Sequence, residues 1–169
     1  FPLQELDTFV VSLHIINIVS IYMSEHLIVG LMSGTSLDGV DIALCNFIQD
    51  EKKAWTFQIR QATTIGYSAE WKQRLQHAFN STALEISQLN VDYGKFLGTL
   101  TKEFINQYQE KPILVASHGH TIFHTPHTGL TLQIGSGANI AAECGLPVVC
   151  DFRTMDVALG GNGAPLVPI

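Results

Sequence analysis

The sequence predicts an α/β domain in which a mixed sheet, opened by a three-stranded antiparallel meander, is flanked by helices. Three observations carry that expectation. The run "LIVGLM", Leu27 to Met32, is continuously apolar, as a strand buried on both faces must be. Two more strand-like runs follow at hairpin spacing: Val40, Ile42 and Leu44 alternate with Asp41, Ala43 and Cys45, and "WTFQI" places Trp55, Phe57 and Ile59 on one face. Past these, the apolar period lengthens to that of helices, which then alternate with short apolar strands. The expected order is β-β-β-α-α-β-β-α-β.

Ser68 opens the first helix, whose Trp71, Leu75, Ala78 and Phe79 share a face, and the pattern stops near Asn80. Thr82 and Glu85 form a capping box, in which hydroxyl and carboxylate satisfy two orphan amides reciprocally. The helix behind it carries a long stripe of Leu89, Tyr93, Phe96, Leu100, Phe104 and Tyr108. Gly94 and Gly98 lie one turn apart on it and read as a packing notch for a second backbone, set against about 1 kcal/mol of helix propensity lost at each. "PILVAS" (Pro112 to Ser117) reads as a buried parallel-type strand, "LTLQI" as another and "LPVVCDF" as a third, with a short helix "GANIAAEC" ending at Gly145.

Composition narrows the function classes. The 169 residues are 46% hydrophobic, enough for a sizeable core. A formal net charge of −6 without a Lys/Arg cluster argues against a nucleic-acid partner. Cys45, Cys144 and Cys150 are odd in number and lack C-x-x-C spacing, so they read as buried thiols in a reducing compartment, the cytoplasm. The apolar run Phe9 to Tyr22 is shorter than the ~20 residues of a membrane span, contains His14 and Asn17, and has no basic leader, so no membrane association is expected. Met23-Ser24-Glu25 resembles a natural start. Residues 1–22 are accordingly expected to lie outside the domain, which runs over 23–169.

Chemistry concentrates in three places. Between Gly30 and Asp41, Ser33, Thr35 and Ser36 supply hydroxyls and amides while Gly30, Gly34 and Gly39 free the backbone, which suits an anion nest. No G-x-x-x-x-G-K-[ST] is present, so this is not a P-loop. Asp38 and Asp41 would repel a phosphate unless Mg²⁺ lay between, and the competing reading is a plain hairpin reversing at Asp38-Gly39. The second place is "ASHGHTIFHTPHTG", with His118, His120, His124 and His127. Zinc is one reading of it; hydrogen bonding by His118 at a strand's carboxyl end, beside Gly119, is the other. Third, Asp151, Arg153 and Asp156 precede Gly160-Gly161-Asn162-Gly163, where an arginine can clamp a carboxylate or the charges simply pair with one another. "GSGANI" has Ile140 where a dinucleotide fingerprint needs its third glycine.

Taken together, "GLMSGTSLDGVD", "SHGHT" with "HTP", "LQIGSGANIA" and "DFRTMDVALGGNGAPLVP" resemble the anhydro-N-acetylmuramic acid kinases from Leu27 to Ile169. The resemblance implies an actin-like ATPase fold of the ribonuclease H-like kind. It also implies ATP-dependent phosphorylation of the 6-hydroxyl of 1,6-anhydro-N-acetylmuramic acid, with water opening the anhydro ring, in cell-wall recycling. Mg-ATP would sit at Gly34, Thr35, Ser36, Leu37, Asp38, Gly39, Val40 and Asp41, with Asp38 nearest the magnesium through water. His118, Gly119, Arg153 and Asp156 would lie toward the sugar.

Two departures from the family accompany the match. His120 stands where the family usually carries Gln, which would make substrate affinity pH-dependent near neutrality. The family's second half, with "N-I-G-G" and a "D-x-G-P-G-N" block expected to supply the general base, is absent from these 169 residues. No catalytic base is therefore expected within the chain, which alone would be an inactive, C-terminally incomplete fragment of a kinase that pairs as a homodimer. The alternatives are a zinc-dependent hydrolase using His118, His120 and His124, or a non-catalytic nucleotide-binding module.

Overall fold

Eight consecutive residue pairs, Glu25↔Ile48 to Met32↔Asp41, zip β1 (Glu25–Ser33) antiparallel to β2 (Gly39–Gln49). β2 pairs in turn with β3 (Trp55–Gly66), completing the meander that the alternating patterns anticipate. This computed structural model describes residues 25–50 and 53–164, so residues 1–22 lie outside what it describes. Past the meander come α1 (Ala69–His77), a 3-10 turn (Ala78–Asn80) and the long α2 (Ala83–Tyr108). The chain then returns as β4 (Leu114–Thr125), parallel to β1, followed by β5 (Leu130–Ile134), α3 (Gly137–Cys144), β6 (Val148–Cys150) and α4 (Phe152–Ala158). The sheet order is β3-β2-β1-β4-β5, with β6 also on β4. It is an α/β domain with a mixed, open sheet flanked by helices.

The core lies between one sheet face and α2. Val29, Leu31, Val40, Ile42, Leu44 and Val115 pack with Leu89, Tyr93, Leu97, Leu100 and Phe104 in one buried cluster. Of the stripe read from the sequence, Leu89, Tyr93, Leu100 and Phe104 are buried and Leu97 joins them, while Phe96 and Tyr108 pack only partly buried against the cluster. The capping box forms as expected: Thr82 Oγ1 accepts from the Glu85 amide at 3.3 Å, and Glu85 returns a carboxylate to the Thr82 amide at 2.7 Å. Gly94 and Gly98 are the notch that seats α3. A Cβ at Gly94 would come within 2.7 Å of the Ser136 carbonyl oxygen, and one at Gly98 within 2.6 Å of Glu143 Cβ.

Several elements differ from expectation. Trp55, Phe57 and Ile59 do share a face, but 55%, 66% and 55% of their surfaces stay exposed, because β3 is the sheet edge and its apolar side has no covering helix among the described residues. Phe79 likewise points outward against Phe123 instead of joining the core. β4 runs eight residues beyond Ser117, because its second half finds a new antiparallel partner in β5. β6 shrinks to three residues. The helix α4 was not expected, since "FRTMDVA" buries only Val157 and carries no apolar period. All three cysteines are free, but Cys45 and Cys144 are only half-buried and Cys150 is exposed, contrary to the buried reading. No helix among the described residues is long and apolar enough to cross a membrane.

Candidate functional site

The site is organised by one extra residue in β4. Leu31 pairs with Ser117 and Ser33 with His120, so β4 spends three steps where β1 spends two. The surplus is a bulge at Gly119, whose φ of +72 favours glycine. A Cβ there would also strike the Ile134 carbonyl oxygen at 2.5 Å. The bulge turns Ser117 and His120 toward the core and leaves His118 on the opposite face.

His120 is buried, 3% exposed, with Nδ1 2.9 Å from Ser33 Oγ. Ser33 continues to Tyr67 at 2.6 Å, and Tyr67 to Tyr93 at 2.5 Å. Burial, with His118 nearby, holds the His120 pKa down to about 4, and burial pushes the Tyr67 and Tyr93 phenols up. The imidazole is therefore neutral at physiological pH, and the expected pH response near neutrality does not arise from it. Its place in the fold is to anchor the end of β1, where the glycine-rich turn begins.

On the other face, Arg153 Nε donates to His118 Nε2 at 2.9 Å, while His118 Nδ1 lies 3.0 Å from the Gly119 carbonyl oxygen. With Arg153 donating, Nε2 is the acceptor and Nδ1 is the ring nitrogen left to donate to the carbonyl. The arrangement aims the guanidinium, whose remaining nitrogens form no ion pair among the described residues. Asp156, one turn further along α4, does not pair with it. Instead Asp156 Oδ2 accepts the Gly163 amide at 2.6 Å and its carbonyl accepts the Gly161 amide at 2.8 Å. The glycine segment is thus wrapped on this aspartate, so close that a Cβ at Gly161 would meet the carboxylate at 2.2 Å. Asp151 is elsewhere engaged, capturing the Thr154 hydroxyl. Met32, His118, Arg153, Asp156 and Asn162 line an open cleft of about 850 Å³.

The glycine-rich turn projects beside β1. Leu37 takes a left-handed φ of 59 and its amide closes on the Gly34 carbonyl at 3.4 Å. Thr35, Ser36 and Asp38 are exposed, Gly39 and Val40 are buried, and Asp41 is tied to the Thr64 hydroxyl on β3. Residues 34–38 do not themselves line the cleft among the described residues; Met32, two positions before them, does. The Asp38 carboxylate accepts no hydrogen bond among the described residues, which suits holding magnesium through water, whereas Asp41 is already occupied.

The histidines do not converge. His118 is bound to Arg153, His120 is buried on the other face, His124 pairs with Thr131 at 3.1 Å, and His127 lies exposed in the turn before β5. Among the described residues no group of three His, Cys, Asp or Glu could hold a metal ion. The zinc reading is corrected accordingly: the bulge at Gly119 sends neighbouring histidines to opposite faces. Two features of the site escaped the sequence reading, the Ser33–Tyr67–Tyr93 hydroxyl chain and the folding of the glycine segment onto Asp156.

The α/β domain with its glycine-rich turn beside β1 and its cleft at Arg153 and Asp156 is similar in sequence to kinases of one family. The sequence model for anhydro-N-acetylmuramic acid kinase matches residues 26–169. Curated relatives of that name include those of Paramagnetospirillum magneticum, 42% identical over 85% of this chain and 40% of its own, and Pseudoalteromonas translucida, 37% identical over 84% of this chain and 39% of its own. Bacillus thuringiensis has another at 40% identity, over 83% and 40%. Among solved structures, Thermus thermophilus RuvC superposes with a TM-score of 0.35 and 14% identity, covering 83% of this chain and 72% of that one. The chain belongs to the anhydro-N-acetylmuramic acid kinase family. It spans about 40% of the length of the curated relatives it matches.

Proposed function

We propose that this chain is the N-terminal portion of a cytoplasmic kinase that transfers the γ-phosphoryl group of ATP to 1,6-anhydro-N-acetylmuramic acid, yielding N-acetylmuramic acid 6-phosphate. In this reading water adds to C1 of the sugar, the bond between C1 and O6 breaks, and O6 takes the phosphoryl group. The observation that carries it is the cleft, in which His118 presets Arg153 and Asp156 organises the glycine segment, in a chain of this family. Gly34 to Asp41 present main-chain amides and the Thr35 and Ser36 hydroxyls to the nucleotide phosphates. Magnesium, held through water by Asp38, would neutralise charge on those phosphates.

On the sugar side, Arg153 offers a planar fork to a carboxylate such as that of a muramic acid. Asp156 is the one carboxylate lining the cleft among the described residues, and its Oδ1 has no partner there. It lies toward the sugar in this reading, while the general base is expected from the aspartate of the family's second half. Positioning across a closed cleft dominates phosphoryl transfer, so the 169 residues alone are expected to be inactive.

The test uses the protein extended to the length of its relatives, incubated with ATP, magnesium and the anhydro sugar. Formation of the sugar 6-phosphate with stoichiometric ADP supports the reading, and absence of both overturns it. Asp156→Asn raising KM for the sugar by about tenfold, with turnover at saturation retained, supports its place toward the sugar. Unchanged sugar affinity in that variant removes Asp156 from the sugar side. Asp38→Asn should raise the magnesium requirement while leaving sugar binding intact.

A further inference from the structure

The turn from Gly34 to Asp38 does little to hold its own shape. Its closing hydrogen bond, from the Leu37 amide to the Gly34 carbonyl, is 3.4 Å long, and Leu37 takes a φ of 59, a left-handed backbone that a leucine resists. Strained backbone of this kind persists only where the surrounding structure holds it. The Leu37 side chain packs against the core, and both ends of the turn are tied to one residue outside it.

That residue is Tyr67, the first beyond β3. Its hydroxyl lies 2.6 Å from Oγ of Ser33, immediately before the turn, and its amide donates at 3.3 Å to the carbonyl of Asp38, the last residue of the turn. Gly39 and Gly66 pair across β2 and β3, and a Cβ at Gly39 would meet the Ile65 carbonyl oxygen at 2.3 Å, so the strands that deliver Asp38 and Tyr67 run in close contact. Tyr67 is itself held. It is buried, its ring centroid lies 6.4 and 6.3 Å from those of Tyr93 and Phe96 on α2, and its hydroxyl meets that of Tyr93 at 2.5 Å. Between two hydroxyls the phenol donates to one and accepts from the other. Thr35, Ser36 and the Asp38 side chain take no part in the tether and stay exposed.

We propose that Tyr67 is a positioning residue for the nucleotide: by tying both ends of the glycine-rich turn it presets the amides and hydroxyls offered to the phosphates and the direction of the Asp38 carboxylate. This deepens the kinase reading and rests on it. Tyr67 acts through the turn, because conformational freedom already removed from a binding segment is not lost again when the ligand arrives. Its loss should therefore weaken nucleotide binding and leave the sugar side alone.

The experiment measures the Kd of the relative-length protein for ATP with magnesium and, separately, for the anhydro sugar. Tyr67→Phe and Ser33→Ala should each weaken ATP binding by about tenfold, and the double variant should also lose about tenfold, not about 100-fold, because both changes break the same bond. Sugar binding by Tyr67→Phe should stay within about twofold, which also shows that the variant is folded. Tyr93→Phe breaks only the far end of the hydroxyl chain, so it should lower the Tm and leave ATP affinity within about twofold. Unchanged ATP affinity in both Tyr67→Phe and Ser33→Ala overturns the proposal. So does equal weakening in Tyr93→Phe, which makes the loss a general loosening of the core. If Tyr67→Phe does not fold, Ser33→Ala against Tyr93→Phe decides on the same terms. No ATP binding by the unsubstituted protein overturns the kinase reading, and this proposal with it.

Discussion

Ser33 Oγ lies 2.9 Å from His120 Nδ1, joining the last residue of β1 to the first residue beyond the β4 bulge. This contact ties the start of the glycine-rich turn to the element that also carries His118. It makes the protonation state of one buried ring a matter of stability.

In the folded protein His120 stays neutral down to about pH 4, whereas in the unfolded chain it titrates near 6.5. The unfolded state therefore binds the proton first as pH falls, and stability contributed by the neutral ring is lost between about pH 6.5 and 4. The loss should reach about 3 kcal/mol. His120→Gln should flatten this part of the profile. Urea midpoints measured across the window check it, and parallel acid slopes in the two proteins would contradict the assignment.

Tyr67 sits in the middle of the hydroxyl chain, bonded to Ser33 on one side and Tyr93 on the other. Tyr67→Phe keeps the ring packing and breaks both bonds, so it should cost about 1–3 kcal/mol. Thermal unfolding should show a Tm lower by several degrees.

Gly94→Ala and Gly98→Ala test the seat of α3. In an unpacked helix either change gains about 1 kcal/mol. Here a new Cβ meets backbone or another Cβ at 2.7 or 2.6 Å, so each should instead destabilise by about 1–3 kcal/mol. The sign of the change in denaturation midpoint decides.

Arg153 and His118 should behave as a unit in the relative-length enzyme. His118→Ala frees the guanidinium, and Arg153→Lys removes the Nε donor that meets His118. Each should raise KM for the sugar by about tenfold, and the double variant should fall short of their product by about 1 kcal/mol of coupling. Additive effects would show that the 2.9 Å contact does not orient the arginine.

Local chemistry was legible before any coordinates. The capping box at Thr82 and Glu85, the α2 stripe and the glycine notch depend on neighbours three or four residues apart, so spacing alone exposes them. The meander was equally plain, because alternation of period two survives wherever one strand face is buried. For the same reason the turn, the histidine segment and the Asp151 to Gly163 segment could be singled out as candidate sites.

What the linear pattern lacked was direction. Trp55, Phe57 and Ile59 share a face, yet alternation does not say which face the rest of the chain covers, and here it is the open one. Whether His118 and His120 act together depends on a single surplus residue, Gly119, whose bulge exists only because β4 must pair with both β1 and β5. The bond from Ser33 to His120 spans 87 residues and the one from Arg153 to His118 spans 35. Contacts across such separations arise from strand order and register, and those are settled by packing of the whole sheet against α2, not by the residues that make the contact.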